Sequence, residues 1–169
     1  MTTNLYTFID LYTRQLGTLA HILNKGAAFA KEKGISETEM LGWRLIDDMQ
    51  PLSFQISVVV NFTRAWPARV AGLALPAEID ASKTLGEYLA AIEDAKAYLA
   101  RIRPEQFAGR DDAPLKVLIG NGMEPTFPAS QWLTVFATTN IYFHLSIAYA
   151  ILRSRGAPLG KIDLFATGL

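Results

Sequence analysis

The chain has 169 residues, half of them hydrophobic and 19% charged, with 16 acidic side chains balancing 16 basic ones. That is enough chain for one domain with a sizeable core, and far too apolar for disorder. The neutral balance, with no run of five like charges, argues against a nucleic-acid binder working through a broad basic surface. The absence of cysteine excludes disulfides, thiolate metal sites and cysteine nucleophiles.

The opening Met1-Thr2-Thr3-Asn4 has neither the basic nor the apolar region of an export signal, so the cytoplasm is the expected location. Leu5, Phe8, Tyr12, Leu16, Leu19 and Leu23 then recur at three- and four-residue spacing and predict a helix over residues 4–33. Gly17 and Gly26 each weaken it by about 1 kcal/mol relative to alanine, and a bend or break is expected near Gly26. His21 falls opposite the apolar stripe and is expected in solvent.

Ser36-Glu37-Thr38-Glu39 is a capping-box pattern that should open a short helix through Leu45. Pro51 fits a helix only in its first turn, which places the next N-terminus at Asp47 or Asp48. This second long helix carries Leu52, Gln55, Val59, Phe62 and Trp66 on one face. Residues 51–63 hold no charge, which marks the helix as deeply buried, and Trp66-Pro67 should kink or end it. Thr84-Leu85-Gly86-Glu87 opens a third helix, reaching about Ile102, with Leu85, Leu89, Ile92, Leu99 and Ile102 turned inward.

Two short strands are expected around Gly120-Asn121-Gly122, with Pro125 confining the second to an edge. The last helix follows, inside a stretch (residues 125–152) that carries no formal charge. Spanning a membrane takes about 20 predominantly apolar residues. Here Thr134, Thr138, Thr139, Asn140, His144 and Ser146 would each need a partner in hydrocarbon, so a buried bundle helix is expected instead of a membrane span. Arg153-Ser154-Arg155-Gly156 is its basic last turn and glycine stop. Four long helices, two nearly chargeless, make a single-domain all-α four-helix bundle with a small hairpin before the last helix.

Ala137, Asn140, His144 and Ala148 share one side of the last helix, small and polar where the remainder is apolar. That side is expected to face a cavity, with Asp48 and Gln55 reaching it from the second helix. Asp48 reads equally as an N-cap, and Gln55 as a satisfied core amide. Phe54, Val58 and Trp66 offer apolar surface for a second copy. No glycine-rich phosphate loop, Gly-x-Ser-x-Gly elbow or His-Glu-x-x-His pair is present, which removes nucleotide-binding and serine-hydrolase readings.

Two long motifs carry a family resemblance. Arg44-Leu45-x-x-Asp48-Met49-x-Pro51-Leu52-x-x-Gln55 and Asn140-x-Tyr142-Phe143-His144-x-x-x-Ala148-Tyr149-Ala150-Ile151-Leu152-Arg153, closing on Gly160-Lys161-x-Asp163, resemble an uncharacterised bacterial branch of the DinB/YfiT-like superfamily. The resemblance implies an up-down-down-up bundle, often a homodimer. Better-known members hold a divalent metal through one histidine on the second helix and a His-x-x-x-His pair on the fourth. Here His144 matches one of that pair, Ala148 stands four residues later, and Asp48 and Gln55 replace a second-helix histidine.

The resulting expectation is a small-molecule pocket near His144, with Asn140, Asp48, Gln55 and Tyr149 as its other candidates and no firmly bound metal. One alternative is a transferase or hydrolase using zinc or nickel on His144 and Asp48. Another is a non-catalytic homodimer associated with structure or stress. No nucleic-acid or membrane partner is expected.

Overall fold

The computed structural model describes residues 4–168, so Met1, Thr2 and Thr3 of the segment read for an export signal lie outside the described residues. The first helix, α1 (Thr7–Glu32), runs without a break. Its glycines are places of close approach and not hinges. A Cβ on Gly26 would stand 2.6 Å from Leu152 Cδ2, and one on Gly17 would stand 2.4 Å from Thr167 Cγ2.

The short helix α2 (Glu37–Leu41) starts as its cap predicts, with the Glu39 N–H donating to Ser36 Oγ at 3.1 Å, but it stops four residues early. Residues 42–50 instead form a turn, mostly exposed but with Trp43 buried. The Arg44 guanidinium donates to the Met49 carbonyl, and the Leu52 N–H donates to the Trp43 carbonyl at 2.8 Å. The second long helix, α3 (Leu52–Ala71), therefore begins after Asp47 and Asp48, with Pro51 as its extended N-cap. The cause is local: proline disfavours the helical region for the residue before it, and at Gln50, where no helix is already running, that bias keeps the chain extended into Pro51. Pro67 does not end α3. The helix continues one more turn and closes at Gly72, whose φ of +72° is left-handed. Pro67, Ala68 and Val70 are all buried, and that packing holds the turn beyond the proline.

Next comes α4 (Leu85–Leu99), opened by a complete Thr84/Glu87 capping box, with Leu85, Tyr88, Ile92, Ala95 and Leu99 buried. The hairpin pairs β1 (Pro114–Lys116) with β2 (Thr126–Pro128), antiparallel, with Leu115 opposite Phe127. An outer bridge joins Ile119 to Met123 around the tight turn Gly120–Gly122. The Trp132 Nε1–H donates to the Leu115 carbonyl at 2.9 Å and fastens the hairpin to the last helix.

That helix, α5 (Ala129–Ser154), is by length and composition able to cross a membrane, but its inward face packs on α1 and α3. Its residues Trp132–Ala137 are wound as a π-helix, where the Thr138 N–H donates to the Leu133 carbonyl. The buried Tyr12 hydroxyl also donates to that carbonyl, at 3.0 Å, and lies 2.9 Å from the Thr138 hydroxyl. A side chain from another helix thus supplies the extra hydrogen bonding of the widened turn.

Both α1 and α3 pack on every other long helix, which sets α4 and α5 on opposite flanks. The contact between α3 and α5 is the most extensive of all, so the two nearly chargeless segments do lie side by side. After Gly156 the chain folds back along α1 and ends in a tight turn at Lys161–Phe165.

Candidate functional site

The α3–α5 seam brings together two of the residues expected at a site. His144 Nδ1 lies 2.7 Å from Gln55 Oε1, while Gln55 Nε2 donates to the Gln50 carbonyl at 3.0 Å. Because the amide nitrogen is committed to a carbonyl, its oxygen faces the ring, and Nδ1 must carry the hydrogen. Nε2 is left with its lone pair. Burial lowers the pKa of His144 below its ordinary 6.5, so the ring is neutral at pH 7. The ring meets Phe54 and Phe143 edge-on, at centroid distances of 6.0 and 5.1 Å. Held in this way, Nε2 can accept a hydrogen bond or a proton.

The other candidates stand elsewhere. Asn140 turns back along its own helix and donates to the Phe136 carbonyl at 2.8 Å. Tyr149 is half-buried against the core, about 140° around α5 from His144. Asp48 is exposed in the turn before α3 and is not among the contacts of His144. Ala137 and Ala148 are fully buried core residues, so the small side of α5 allows close helix packing instead of opening space. Among the described residues no three His, Asp or Glu side chains come together. A single imidazole paired with an amide does not fit a divalent metal, which needs about three protein ligands.

The open space lies on the neighbouring face of α3. A cleft of about 480 Å³ is walled by Phe54, Val58, Phe62 and Trp66 of α3, by Phe136 of α5, by the hairpin and by the loop of residues 75–81. Phe54 is shared: it lines the cleft and touches the His144 ring. Trp66 stacks on Trp132 at 5.3 Å and meets Phe136 at 5.1 Å. The Arg69 guanidinium lies 5.0 Å over the Trp66 ring, and its pKa is lowered by burial. Asn61 pins the loop by donating to the Ile79 carbonyl at 2.8 Å and accepting the Ile79 N–H at 2.9 Å. The side chains expected to pair with a second copy, Phe54, Val58 and Trp66, are thus cleft wall. The four-residue spacing of Phe54, Val58, Phe62 and Trp66 is visible in the sequence, but the loop and hairpin that make a surface into a cleft are not.

His21, expected in solvent, is engaged. Its Nε2–H donates to Asp163 at 2.7 Å, beside Lys25 Nζ at 2.9 Å and the Gly160 N–H at 2.7 Å. Hydrogen bonds from His21, Gly160 and Lys25 hold the Asp163 carboxyl well below the usual carboxylate range.

The four long helices and the hairpin before the last of them form a DinB-like bundle, as a comparison with a solved structure shows. A crystal structure of a DinB family member protein from Shewanella denitrificans superposes with a TM-score of 0.83 at 27% identity, covering 96% of this chain and 95% of that one. Residues 5–165 match the family described as "domain of unknown function (DUF1993)", and the chain belongs to that family. No curated protein matches the sequence.

Proposed function

We propose that this DinB-like protein binds a small, largely apolar molecule in the cleft along α3, beside the neutral His144 and without a firmly bound metal. One observation carries the reading: a cavity of about 480 Å³, within the size range of ligand sites, has an aromatic wall and a guanidinium at its edge. Glu78 and Asp80 line the loop side of the same cleft, so the site suits a flat apolar body stacked on the rings, with its acceptor group directed at Arg69 and away from the two carboxylates. Anilinonaphthalene sulfonate has that shape and is the test probe. The native protein should bind one molecule saturably, Arg69→Leu should weaken binding, and Ala65→Trp, which fills the cleft, should abolish it. Undiminished binding by a folded Ala65→Trp protein would refute the reading.

A homodimer is a second reading, favoured by Val135, Tyr142 and Phe143, three large exposed apolar side chains on α5. Phe143→Glu should then halve the mass seen by light scattering. A native protein that is already monomeric at micromolar concentration removes this reading.

A further inference from the structure

A second chamber, of about 300 Å³, lies between α1 and α5 and is roofed by Leu164, Phe165, Thr167 and Gly168. The roof is tied down at several points. The Thr18 hydroxyl donates to the Leu164 carbonyl at 3.3 Å, and the Thr167 hydroxyl donates to the Arg14 carbonyl at 3.0 Å. Gly17 leaves room for the Thr167 methyl, and Asp163 anchors the segment to His21 and Lys25 of α1.

Inside, Gln15 is 8% exposed and lines the chamber. Its amide has no hydrogen-bond partner among the described residues, yet no buried polar atom there is sealed off without one, so the amide opens onto the cavity. A buried amide left in that state is costly unless something in the cavity completes it. Arg14 stands at the same chamber. Its Nε–H is spent on Asp10 at 2.8 Å, and its Nη1 reaches the Thr167 carbonyl only at 3.4 Å, which leaves guanidinium donors to spare. Leu11 and Leu145 supply an apolar floor. Surplus donors over an apolar floor call for an acceptor-only group on a compact apolar body.

We propose that this chamber is a binding site, separate from the α3 cleft, for a small monocarboxylate whose carboxylate accepts hydrogen bonds from the Gln15 amide and the Arg14 guanidinium. Benzoate is the probe, titrated into the full chain and followed at the Leu11 and Leu145 methyl resonances. A saturable shift is expected, weakened about tenfold by Arg14→Gln, the loss of one charge-assisted contact. Gln15→Leu should abolish the response while keeping a cooperative melt. Should that variant fail to fold, Ser146→Phe, which fills the chamber from its exposed side, takes its place with the same expected loss. Benzamide, of the same shape but uncharged, should bind about tenfold more weakly. The proposal is overturned by unshifted methyls, by equal binding of benzamide, or by full binding in a folded Gln15→Leu or Ser146→Phe protein. The Ala65→Trp protein must keep the benzoate response. Its loss there would move the binding to the α3 cleft and overturn the separate site.

Discussion

The two histidines sit in opposite chemistry. His144 joins α5 to α3 through a neutral amide, half-buried between aromatic rings. His21 joins α1 to the C-terminal turn through a carboxylate that it shares with Lys25. In the first seam, packing holds the chain together and the polar pair sets a ring orientation. In the second, charge-assisted hydrogen bonds pin a segment that has little core of its own. The same side chain is therefore an uncharged, oriented acceptor in one place and a fastener in the other, and its surroundings decide which.

Breaking each seam should expose that difference. Trp132→Ala removes the stacked partner of Trp66 and the hairpin anchor, and should cost about 3–5 kcal/mol in denaturant unfolding. Hydrogen exchange should then quicken along α3 and α5. Asp163→Asn should cost less, about 1–2 kcal/mol, because His21 and Lys25 are each a third exposed and solvent screens the pair. Its effect should be confined to residues 160–168, read as amide exchange, with the cleft's dye binding unchanged. Gln55→Leu should cost about 1 kcal/mol and free the ring to change tautomer, seen in the nitrogen shifts of His144.

The smallest effects are in pH, and they separate the seams by window. Below pH 6.5 the unfolded chain protonates its histidine before the native His144 does, so stability falls as pH drops through the lowered folded value. The loss should vanish in His144→Gln. Asp163 works in the acid range. Its contribution is complete above pH 3.8 and fades as pH falls toward its depressed folded value, an effect absent from Asp163→Asn.

What was legible in the residues was whatever local pattern controls. The stripe of α1, the N-cap at Ser36, the capping box at Thr84 and the glycine stop after Arg155 fall where spacing and cap chemistry put them. The start of α3 differs from expectation because proline's tolerance in a first turn says nothing of the residue before it, and Gln50 stays out of the helix. Gly26 was read as a weakness because its partner, Leu152, is far away in sequence. His21 was misread for the same reason, since Asp163 lies 142 residues on. Of the candidate site, Gln55 and His144 were found together, for both stand on chargeless faces that only each other's helix could cover. The cleft was not found, because a loop pinned by Asn61 makes it.

The widened turn of α5 has a consequence for length. A π turn closes its ring with one residue more than an α turn does. Removing one residue from 132–137 should therefore let the helix rewind as ordinary α, with Gln55 still facing His144 and the Tyr12 hydroxyl left with only the Thr138 hydroxyl as partner. A sibling chain one residue shorter at this point, with phenylalanine at position 12, would be the natural form of that trade.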